Sequence, residues 1–132
     1  MDANHFFLKL IKEFPALEKE VCEEDPAMVH RRMEIFAAYT VQQIKDNQVQ
    51  ELAKCFRFQE SAVDQMDADL KNALYVSYCE TLLLGEVSGK MDLVLPFMGD
   101  KLRAVYLDYE KHYRKMVKKS NSAPGPPGLT ND

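Results

Sequence analysis

The residues that could do chemistry in this chain are three histidines, three cysteines and a carboxylate set in an apolar stretch. His5, His30 and His112 are its imidazoles, and none stands in the strand-turn-helix context of a nucleophile elbow. His30 and Glu34 lie one helical turn apart and could share a cation, but two ligands do not make a site, and an i,i+4 surface pair is the commoner arrangement. Neither His-Glu-x-x-His nor the Glu-x-x-His pairing of di-iron bundles occurs, so no metal is expected. Gly85-Glu86-Val87-Ser88-Gly89-Lys90-Met91 is one residue short of a phosphate-cradling loop, and Met91 lacks the hydroxyl that would hold magnesium. It reads as a turn between helices, and no cofactor is expected.

Cys22, Cys55 and Cys79 are odd in number, far apart and without a Cys-x-x-Cys pair; they read as buried free thiols. Glu80, between Tyr78-Cys79 and Thr81-Leu82, is the one carboxylate whose apolar setting would raise its pKa if buried unpaired. A solvated seam or a structural ion pair is its plainer use.

Two further groups suit recognition rather than catalysis. Tyr106, Tyr109 and Tyr113 share one face of the last helix, where amphipathic rings serve a partner surface or, more commonly, half-buried packing. Glu18, Glu20, Glu23, Glu24 and Asp25 cluster before the long helix, and Asp64, Asp67 and Asp69 cluster at a later junction. Such runs are often solvated caps favoured by the helix dipole, yet either could meet a basic partner. The net charge of −4 is unevenly spread: residues 1–100 carry 10 Lys/Arg against 18 Asp/Glu, a balance of −8, and residues 101–132 carry 7 against 3, a balance of +4. An acidic body argues against nucleic acid, which needs a basic footprint.

The elements that must position these groups are helices. With 46% hydrophobic and 29% charged residues the chain should fold, and 132 residues bury a core without metal or disulfide staples. Phe6, Phe7, Leu10, Ile11 and Phe14 make the stripe of a helix from Ala3 to Glu13, closed by Pro15. Pro15 to Cys22 allows a short second piece. Asp25-Pro26 reads as N-cap and first turn of a long helix to Asp46, with Val29, Met33, Phe36, Ala37, Thr40, Val41 and Ile44 on its apolar face. Asn47 with Gln50 resembles a capping box for the next helix, and Asp67 or Asp69 caps an apolar central one through Leu84. An interrupted piece from Met91 to Met98, around Pro96, precedes a final helix from Lys101 to Lys119. The expectation is an all-α, compact single-domain bundle of about five to six helices over residues 1–119, with a disordered Pro/Gly/Ser-rich tail over 120–132. The first residues lack the basic, apolar and small-residue pattern of a secretory signal, and no apolar run reaches the ~18 residues of a membrane span, so a cytoplasmic location away from membranes is expected.

Phe7-Leu8-x-x-Ile11-x-x-Phe14-Pro15, together with Asn72-Ala73-Leu74-Tyr75-Val76-Ser77, resembles an uncharacterised family of small all-helical bacterial proteins, over roughly residues 5–115. These motifs are packing patterns and carry over no active-site residue. Small acidic helical proteins of this kind are similar to toxin immunity proteins, which bind and block one partner. The acidic charge, the tyrosines of exposed type and the absent catalytic sets together point to a non-enzymatic protein-binding module, such as an immunity-type inhibitor. Its partner would be another, basic protein, met through Glu20, Glu23, Glu24, Asp25, Tyr106, Tyr109 and Tyr113. The alternative is a small-ligand-binding or regulatory bundle with a pocket lined by Tyr78 and Glu80. An enzyme using Glu80 as acid or base, helped by His30 or His112, ranks third.

Overall fold

The computed structural model describes residues 1–122, and among these every regular element is helical. Helix α1 (Ala3–Glu13) starts at Asp2, whose carboxylate accepts from the His5 amide at 2.9 Å, and buries Phe6, Phe7 and Leu10. A 3-10 turn, Pro15–Leu17, leads into the short α2 (Glu18–Glu23).

Helix α3 (Val29–Lys45) is the long amphipathic helix read from the sequence, but it starts three residues after Pro26. Asp25 closes a turn instead of capping a helix: its side chain accepts from the Ala27 amide at 2.9 Å and its carbonyl from the Met28 amide at 2.8 Å. The junction with α4 (Val49–Ala62) also differs from the capping-box reading. Asn47 has φ 55, the left-handed region that Asn tolerates better than most residues. Its amide donates to Ile44 O and the next amide, of Gln48, to Gln43 O, so Asn47 terminates α3 in a Schellman motif.

Asp67 caps α5 (Ala68–Ala73), its carboxylate accepting from the Leu70 amide at 2.9 Å. The chain continues without a break through a π turn, Leu74–Tyr78, into α6 (Cys79–Leu84). Leu74, Ser77 and Tyr78 are all buried along this turn. Tyr78 reaches α3, where its ring leans on Phe36 at 5.3 Å and its hydroxyl meets Thr40 Oγ1 at 2.8 Å. Thr40 spends its own proton on Phe36 O, so Tyr78 is the donor of that pair. His30 Nδ1 sits 2.7 Å from Ser77 Oγ in the same seam.

After Gly85, where a Cβ would stand 2.4 Å from Thr81 O, come α7 (Met91–Val94) and the 3-10 turn Leu95–Phe97 around Pro96. Helix α8 (Asp100–Ser122) is capped from far away: Glu60 accepts from the Lys101 amide at 3.0 Å and the Leu102 amide at 2.7 Å. A side chain at Gly99 would strike Glu60 at 2.4 Å, so this approach depends on a bare Cα there. Counting the α5–α6 rod once, the described residues form seven α-helices, slightly more than expected, in a compact all-α fold. Helix α8 runs to Ser122, so residues 120–122 are helical where a tail was expected; the rest of that expected tail, 123–132, lies outside the described residues.

The core is knit by aromatic rings, with Phe36 in contact with Phe14 at 5.3 Å and Phe58 at 5.8 Å, and Phe6 with Phe58 at 5.3 Å. Cys55 and Cys79 are buried in it as expected, and burial pushes both thiols up to about 12. Cys22 is exposed, contrary to the sequence reading, because α2 is too short to bury more than Val21. Among the described residues no helix is long and apolar enough to cross a membrane.

Candidate functional site

The acidic residues before α3 converge. Glu20 and Glu23 of α2 and Glu24, which follows it in extended conformation, line a groove of about 420 Å³ whose other wall is Arg31, Glu34, Ile35 and Ala38 of α3. Four carboxylates thus face one guanidinium. Arg31 reaches Glu24 at 3.5 Å, a partly exposed pair of the kind that contributes ~0–1 kcal/mol. Asp25, expected with the same set, does not line the groove; its carboxylate is held in the turn before α3. Glu34 was noted in the sequence only for its spacing from His30. Its membership of the groove depends on how α2 lies against α3, which no local pattern encodes. His30 itself turns to Ser77, so the His30/Glu34 pair is not assembled as a cation site.

The tyrosine face of α8 is not a free surface. Tyr106 is 1% exposed and Tyr109 9%, while Tyr113 is partly buried against the core. Tyr109 packs edge-on against Tyr75 of the π turn at 5.0 Å, and the Tyr75 hydroxyl donates to the Asp108 carboxylate at 3.1 Å. Burial, then the Glu110 charge, pushes the Tyr106 phenol up to about 12. Burial foremost, then the charge of Glu80, raises that of Tyr109. These rings dock α8 onto the central rod, a correction to their assignment as partner-facing groups.

Tyr78 and Glu80 are likewise not brought together. Tyr78 is fully buried toward Thr40 and Phe36 of α3, and burial holds its phenol well above the usual range. Glu80, two positions on, is half-buried beside Tyr109 of α8, as residues two apart on a helix must diverge. The arrangement offers a hydrogen-bonded core seam where a pocket was the alternative expectation.

Ser77 and His30, 47 residues apart, form a hydroxyl-imidazole contact that sequence reasoning missed. Ser77 is buried and its carbonyl accepts from Thr81 Oγ1 at 2.7 Å, so the pair fastens the π turn to the start of α3. A nucleophile would have to be open to its substrate.

Neighbouring side chains on α3 diverge around α2. Arg31 faces the acidic groove, whereas Arg32 is buried and lines a separate cleft between α1 and α2. Searches of curated proteins and of solved structures return no match to this chain. Residues 7–114 match the Domain of unknown function (DUF7674), and the chain belongs to that family.

Proposed function

We propose that this protein is a non-enzymatic binding module that takes a basic segment of one partner protein in the groove between α2 and α3. The observation that carries this reading is the gathering of Glu20, Glu23, Glu24 and Glu34 around one groove with Arg31 as their counterion. Like charges gathered around one groove repel one another, and a Lys- or Arg-bearing segment relieves that repulsion as it docks. The field they create speeds the approach of a cationic partner and weakens with salt. Partner lysines can displace the exposed Arg31 from Glu24 at little cost.

In its finer form the reading is an immunity-type inhibitor of a bacterial toxin, acting in the cytoplasm by covering a basic surface, with no part played by nucleic acid. That form rests on analogy with small acidic helical inhibitors. The groove reading is tested by calorimetric titration with a Lys-rich helical peptide and its Glu-substituted counterpart, at low and moderate salt. The Lys-rich peptide alone should bind, less tightly as salt rises. Glu20→Gln/Glu23→Gln/Glu34→Gln should abolish the binding, while Asp69→Asn/Asp92→Asn, which leaves the groove intact, should keep it. Equal binding by both variants would overturn the proposal.

The small-ligand alternative loses its pocket at the central helix, since Tyr78 and Glu80 face different neighbours. A specific observation favours it elsewhere, at Arg32.

A further inference from the structure

Arg32 is 9% exposed, and among the described residues no carboxylate pairs with its guanidinium. One nitrogen, Nη2, donates to the Glu24 carbonyl at 3.1 Å, and the carbon of the guanidinium stands 5.7 Å from the centre of the Phe7 ring. Its Nε is buried and meets no acceptor. A guanidinium cannot shed its charge, so a buried one is stabilised only by partners, and a carbonyl and a ring face supply part of that need. No anion balances the charge, and the part of the side chain that lines the cleft is where one would dock.

Arg32 lines a cleft of about 370 Å³, within the size range of small-molecule sites. Its walls are apolar: Phe7, Leu8 and Ile11 of α1, with Val21 of α2 opposite. Leu8 is 60% exposed at the rim, an apolar side chain left open where a ligand would cover it. The cleft is distinct from the acidic groove, which lies on the other side of α2.

We infer that this cleft binds a small organic carboxylate with an apolar body, its carboxylate on Arg32 and its body along Phe7, Leu8, Ile11 and Val21. A monoanion fits better than a phosphate, because one guanidinium would leave a dianion half-neutralised among apolar walls. The exposed amide of Asn4 at the rim supplies a second polar contact for the head group.

Cys22 is an internal reporter. It lines the cleft and is exposed, whereas Cys55 and Cys79 are buried with thiols pushed up to about 12, so a thiol reagent at neutral pH labels Cys22 first. The experiment follows Cys22 alkylation by mass spectrometry on the full chain with octanoate or with octanol, beside a calorimetric titration of each. Octanoate should slow the labelling and bind, and octanol should do neither at the same concentration. Arg32→Gln should weaken octanoate by about tenfold or more, the loss expected for a charge-assisted hydrogen bond. Leu8→Glu should do the same from the exposed rim, where the fold does not depend on it, and circular dichroism confirms that both variants are folded. Equal protection by octanol, unchanged affinity in Arg32→Gln, or binding only of an apolar peptide with a free C-terminal carboxylate would each overturn the assignment.

Discussion

The two sides of α3 obey opposite rules. Toward the central rod it offers Phe36 and Thr40, both fully buried, and polar groups there pair with one another: Tyr78 on Thr40, Thr40 on Phe36 O, His30 on Ser77. Toward α2 it offers Arg31 and Glu34, both exposed, in a groove where like charges outnumber their counterions. The seam resembles a solution to folding, and the groove resembles a surface waiting for something else. Local agreement between packing and polar satisfaction marks stability, and local conflict marks recognition.

The comparison breaks most sharply at the rod. Leu82 is fully buried, so Leu82→Ala should cost about 2–5 kcal/mol in urea unfolding, from lost transfer energy and the cavity left behind. A cost under ~1 kcal/mol would show that the rod is not the centre of the core. Thr40→Val should cost less, about 1–3 kcal/mol, because it keeps the volume but strands the Tyr78 hydroxyl in a dry seam. The double variant Thr40→Val/Tyr78→Phe removes both partners and should recover most of that loss. Additive costs in that cycle would mean the two hydroxyls are not coupled.

How much of this could be read from the chain differs by the range of the contact. Stripes such as Phe6, Phe7 and Leu10, or Met33, Phe36 and Ala37, announce an apolar face, and the all-α fold follows from them. A stripe does not say which neighbour covers it, and for that reason Tyr106 and Tyr109 looked like a partner surface when they are the docking face of α8. Asn47 suits a helix start or a left-handed helix end, and only the fold decides between them. Glu60 caps a helix that begins 40 residues later, and the π turn leaves no periodic trace, so neither was legible. Glu20, Glu23 and Glu24 were legible as a cluster because they are adjacent in sequence; Glu34 and the Arg32 cleft needed α1, α2 and α3 assembled. The resemblance to an uncharacterised family, drawn over residues 5–115, agrees in extent with the match to a domain family of unknown function over 7–114.

The smallest expected effect tests the groove from the other side. Glu20, Glu23 and Glu34 are exposed, and each stands near carboxylates more than cations. Neutralising them in Glu20→Gln/Glu23→Gln/Glu34→Gln should therefore change stability by no more than about 0.5 kcal/mol, with a sign toward greater stability as repulsion falls. The gain should be larger at low salt, where screening is weak. Thermal melts of the variant and the parent at two salt concentrations check this directly. If the variant instead melts well below the parent, these carboxylates are holding the helices together, and the groove belongs with the seam as a structural device. If stability holds or rises while binding of the Lys-rich peptide is lost, the repulsion among these side chains is a cost the fold carries for the sake of its partner.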